Sequence, residues 1–96
     1  MTIETLKSSI SSVTREYPIQ KISLFGSRAE GTNRADSDVD LIIEFSEPVS
    51  LLTLSGLKIQ LEEILGLGVD IIHGPVRKDD LIEVRKVVEL YVAQGW

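Results

Sequence analysis

The sequence predicts a single α/β domain, on three observations. Short apolar runs of strand length alternate with segments whose apolar residues recur at helical spacing. Turn-forming residues separate these segments at short intervals, and no stretch is long enough to act as an interdomain linker. The 96 residues suit one domain, read as 1–96, and a hydrophobic content of 43% supports a folded core. Strand direction is not readable from the pattern, so a mixed sheet stays open.

The elements follow in order. Ile3, Leu6, Ile10 and Val13 recur at helical spacing, Thr2 is positioned to cap that helix, and Pro18 ends any continuation. Lys21 to Phe25 reads as a strand that Gly26-Ser27 breaks. Arg28-Ala29-Glu30 starts a short helix, and Gly31 to Ser37 is a polar loop. Asp38 to Phe45 reads as a second strand around Leu41, Ile42 and Ile43. Ser50 is a cap for a helix with Leu54, Leu57, Leu61, Ile64 and Leu65 on one side, and Gly66 is its terminator. Val69 to Ile72 reads as a third strand, closed by Gly74-Pro75. Asp80 and Glu83 form a capping box for a last helix with Leu81, Val84, Val88 and Tyr91 on its apolar face.

Composition removes several function classes. The formal net charge is -5. Affinity for long nucleic acids comes largely from cationic contacts to phosphate, which an acidic chain does not favour. A small anionic ligand remains compatible if a metal ion supplies the positive charge. The chain has no cysteine, which excludes disulfides, thiolate metal sites and cysteine nucleophiles. The first residues lack the basic-then-apolar layout of a secretion signal, and no apolar run approaches membrane-spanning length. The expectation is a cytoplasmic protein that does not engage a membrane.

The informative segment is Phe25-Gly26-Ser27, ten intervening residues, then Asp38-Val39-Asp40. A glycine directly after a strand lets the backbone turn sharply and approach a ligand closely. The helix that follows presents unpaired N–H groups, which favour phosphate, and the Ser27 hydroxyl adds a donor. Side chains at i and i+2 of a strand share a face, so Asp38 and Asp40 point the same way. Two adjacent carboxylates repel each other, and a hard divalent cation such as magnesium relieves that repulsion. Asp70 is the one charge in the otherwise apolar Val69-Asp70-Ile71-Ile72 and requires a partner. If the third strand lies beside the second, Asp70 joins Asp38 and Asp40, and three carboxylates beside a phosphate-binding turn suit two-metal phosphoryl chemistry. A Gly-Ser pair alone is an ordinary turn, and an Asp-x-Asp pair alone is commonly solvated charge; their spacing and context carry the signal.

The stretch FGSRAEGTNRADSDVDLIIEF, Phe25 to Phe45, resembles the signature of the nucleotidyltransferase superfamily that includes DNA polymerase beta. The small size resembles the minimal nucleotidyltransferase antitoxins paired with HEPN-domain toxins. The resemblance implies a small mixed sheet flanked by helices. It implies that Gly26 and Ser27, with Arg28 as a further phosphate contact, bind the nucleotide. It also implies that Asp38 and Asp40 bind two magnesium ions, with Asp70 on the catalytic one. Its implied function is transfer of AMP from ATP to a protein hydroxyl, with a HEPN toxin as partner in a hetero-oligomer. The alternatives are a non-catalytic module that neutralises its partner by occlusion, and transfer to a small molecule. Many relatives read Gly-Ser-Arg-Ala-Arg-Gly, and this chain has Glu30 at the second arginine. On a short helix Arg28 and Glu30 point apart, which predicts that Glu30 avoids the phosphates.

Other residues are set aside. His73, the single histidine, reads as a surface or satisfied polar group. Arg34 and Arg77-Lys78 read as solvated charge. Trp96 suggests packing on this domain or a partner.

Overall fold

The structure, a computed structural model, describes residues 2–75 and 86–93. Helix α1 spans Ile3–Glu16, and the Thr2 hydroxyl caps it by accepting from the Thr5 N–H at 3.1 Å. Its stripe of Leu6, Ile10 and Val13 is buried. Strand β1 follows at Ile19–Phe25, then a single-turn helix α2 at Ser27–Glu30 and strand β2 at Val39–Phe45. Helix α3 spans Leu51–Leu65 between a capping Ser50 and Gly66, whose φ of 68° is the left-handed terminator that glycine favours. Strand β3 is Val69–His73 and strand β4 is Val88–Val92.

The sheet order is β3-β2-β1-β4. Strands β2 and β3 are parallel, while β1 runs antiparallel to both β2 and β4, so the sheet is mixed. Ile22, Leu24, Val39, Leu41, Ile43 and Val69 join Leu6, Ile10, Val13, Leu57 and Leu61 in one buried core beneath α1 and α3. Each such buried aliphatic stabilises the fold by about 1.5–3 kcal/mol. Two polar ties fix the helices. Tyr17 Oη donates to Gln60 Oε1 at 3.1 Å, and Gln60 Nε2 donates to Glu16 Oε2 at 2.7 Å. The Val69 N–H donates to Glu62 Oε2 at 3.1 Å and so ties the start of β3 to α3. Among the described residues, no helix is long and apolar enough to cross a membrane.

Three expectations are corrected. Val88 and Tyr91 belong to β4, not to a helix; Leu81, Val84 and the Asp80–Glu83 capping box lie outside the described residues, as do Arg77, Lys78 and Trp96. Val-Glu-Leu-Tyr-Val is rich in β-branched and aromatic residues, and β1 offers it an open edge of unpaired backbone groups. That long-range pairing overrides the helical spacing. Ile64 is not on the buried side of α3 but exposed, and only Leu57 and Leu61 are fully covered there. Asp38 lies one residue before β2 rather than within it.

Candidate active site

The candidate site forms at the end of the sheet where β1 finishes and β2 and β3 begin. In the sheet register Phe25 pairs with Asp40, and Asp40 pairs with Asp70. Side chains alternate along a strand. With Val39 and Leu41 in the core, Asp40 lies on the opposite face, and Asp70, its in-register partner, lies there too. The adjacency of β2 and β3 on which the sequence reading depended is therefore present.

Two glycines clear space for the carboxylates. Gly26, at the turn out of β1, has φ 75°, a region that disfavours any side chain. A Cβ there would also collide with Asp40 Oδ2. A Cβ on Gly68 would lie 2.5 Å from Asp38 Oδ1. The Val39 N–H donates to Gly68 O at 2.9 Å and holds the Asp38 segment against the start of β3. Gly68 went unmarked in the sequence, where it reads as the ordinary residue before a strand. Its position two residues before Asp70, as Asp38 lies two before Asp40, is the signal that a parallel pairing would have exposed.

The Asp40 carboxyl is pushed above its ordinary value, first by burial and then by the negative charges of Asp70 and Asp38. The site thus holds more negative charge than its own surroundings offset. Among the described residues no three acidic, cysteine or histidine side chains already form a closed metal-ligand set. Asp38 and Asp70 are instead neighbours that both repel the Asp40 carboxylate, a repulsion that a hard cation would relieve. The glycine clearances and the all-oxygen donors fit magnesium.

The other side chains divide clearly. Ser27 opens α2 beside Gly26, half-buried. The Arg28 guanidinium turns to the loop before β2, where Nε donates to Ser37 O at 3.1 Å and one terminal nitrogen donates to Ser37 O at 2.8 Å and Ala35 O at 3.2 Å. Its hydrogen bonds serve this loop rather than an open phosphate position. Glu30 and Arg34 are exposed, as read from the sequence. His73 stacks on Phe45, with ring centroids 5.3 Å apart and planes inclined 32°.

The family described as nucleotidyltransferase domain matches residues 6–92. A Methanocaldococcus jannaschii protein, named as a candidate protein adenylyltransferase, is 38% identical over 87 residues, covering 85% of this chain and 92% of its own. The protein adenylyltransferase MntA of Thermococcus cleftensis is 36% identical over 76 residues, covering 75% of this chain and 77% of its own. A chain in the solved complex of a tri-AMPylated Shewanella oneidensis HEPN toxin with MNT antitoxin matches at a TM-score of 0.70 and 18% identity, covering 97% of this chain and 75% of that one. At that identity the likeness is one of fold.

Proposed function

The chain belongs to the nucleotidyltransferase domain family, and from that premise we propose that it transfers AMP from ATP to a hydroxyl of a HEPN-domain toxin and so neutralises it. The observation that carries the reading is the row Phe25, Asp40, Asp70 across three strands, with the Gly26-Ser27 turn at its end. Nucleotidyl transfer requires a triphosphate cradle beside carboxylates, and the Gly26-Ser27 turn next to Asp40 and Asp70 supports that reading. The relatives named as protein adenylyltransferases support a protein acceptor, and the AMPylated toxin in the related complex supports the partner class.

The chain's own groups have distinct tasks in this reading. Gly26 lets the backbone approach the triphosphate, and the Ser27 hydroxyl donates to a phosphate oxygen. Asp38, Asp40 and Asp70 are the residues that would hold two magnesium ions. When bound, magnesium supplies the positive charge that offsets the triphosphate and the developing charge of transfer. The acceptor oxygen forms a bond to the α-phosphorus as the bond from that phosphorus to the bridging oxygen breaks. The hydroxyl proton leaves toward Asp70, and pyrophosphate departs.

The test is transfer of label from α-phosphate-labelled ATP into a co-purified HEPN-domain toxin. Wild type labels the toxin only with a divalent cation present, and Asp40→Asn does not. Neutralisation by Asp40→Asn without label transfer would replace this reading with occlusion.

A further inference from the structure

The loop from Gly31 to Ser37 is polar and largely exposed, so apolar packing contributes little to its shape. Its order comes from hydrogen bonds. The Thr32 N–H donates to Ser27 O at 2.9 Å, the Ser37 N–H donates to Arg34 O at 3.1 Å, and the Arg34 N–H donates to Ser37 Oγ at 2.8 Å. Arg28 adds three bonds from one guanidinium, two of them to the Ser37 carbonyl. Bonds from an ionised donor are about twice as strong as neutral ones.

The Ser37 carbonyl belongs to the peptide plane that precedes Asp38. The Val39 N–H, held by Gly68 O at 2.9 Å, belongs to the plane that follows it. A peptide unit is rigid, so fixing the two flanking planes fixes both backbone torsions of Asp38. The direction in which its Cα–Cβ bond leaves the backbone is then set by Arg28 on one side and Gly68 on the other.

We propose that Arg28 is a positioning residue that aims Asp38 at the cation site rather than a ligand of the triphosphate. It couples the two halves of the site, because its backbone lies in the helix that opens at Ser27 and its side chain grips the segment entering β2. The inference rests on Asp38 being a cation ligand. Lysine would not replace it, since a single ammonium lacks the fork that spans two carbonyls.

The experiment is manganese binding without nucleotide, followed by electron paramagnetic resonance of the free ion, for wild type, Asp38→Asn, Arg28→Ala and Arg28→Lys. Arg28→Ala is expected to lose about 10- to 100-fold in affinity, the range typical when a partner that orients a metal ligand is removed. Arg28→Lys, which keeps the charge and the stem and guards against a folding defect, should lie between Arg28→Ala and wild type. Its transfer activity should return toward wild type at saturating manganese. Arg28 variants that bind manganese as wild type does, yet bind ATP with manganese more weakly, would overturn the proposal in favour of a phosphate contact. Weak binding by wild type that Asp38→Asn leaves unchanged would overturn the ligand reading of Asp38, and this inference with it.

Discussion

Asp40 and Asp70 stand directly opposite each other in the parallel β2–β3 pair. Like charges in register across two strands are destabilising unless something offsets them. Sheet geometry thus places a penalty at the point where the Gly26 turn also ends.

Replacing Asp40 by Asn should remove transfer while leaving the fold intact. A metal's stabilisation of developing charge is worth several kcal/mol, so the expected loss is on the order of a thousandfold in kcat/KM. Steady-state labelling of the acceptor measures it.

The same substitution should alter how stability depends on pH. The Asp40 carboxyl is raised by burial and by Asp70 and Asp38, so the folded chain holds a proton that the unfolded chain releases. Its contribution is fully present below the unfolded value and is lost as pH rises through the folded one. In metal-free buffer, wild type should therefore lose more stability than Asp40→Asn across that window. At neutral pH the variant should melt higher, on the order of a few degrees. Magnesium should raise the wild-type Tm and leave that of the variant nearly unchanged.

Gly26→Ala and Gly68→Ala should fail differently. Gly26 has a φ of 75° and its added Cβ would strike Asp40. Alanine there should cost about 1–3 kcal/mol in stability, together with activity. At Gly68 the obstacle is the end of the Asp38 side chain, 2.5 Å away, rather than backbone. That variant should keep a Tm near wild type while manganese affinity falls. Thermal melts beside metal titrations separate the two.

Leu90 in β4 is 7% exposed and belongs to the core. Leu90→Ala should cost about 2–5 kcal/mol, as buried leucine truncations do. Denaturant melts test it, and a near-neutral result would contradict the placement of β4 against β1.

Much of this arrangement was legible in the residues. Thr2, Ser50 and Gly66 mark helix ends because capping chemistry is local. Gly26-Ser27 was readable because a glycine after a strand marks a sharp turn, and the face taken by Asp40 follows from a strand's period of two; Asp38, one residue before β2, lies outside that argument. What escaped depends on contacts between distant segments. Val88–Val92 becomes a strand only because β1 has a free edge. Gly68 matters only because β3 lies parallel beside Asp38. The bonds from Arg28 to Ser37 and Ala35 depend on the path of a loop whose turn composition does not specify it.

AMP transfer to a protein, driven by Asp38, Asp40 and Asp70, is the proposal on which the other predictions depend. The most direct test is the intact mass of a co-expressed HEPN-domain toxin after incubation with ATP and magnesium, with wild type and with Asp38→Asn/Asp40→Asn. A gain of one or more AMP units is expected with wild type and none with the variant. A stable complex with an unmodified toxin in both cases would contradict it.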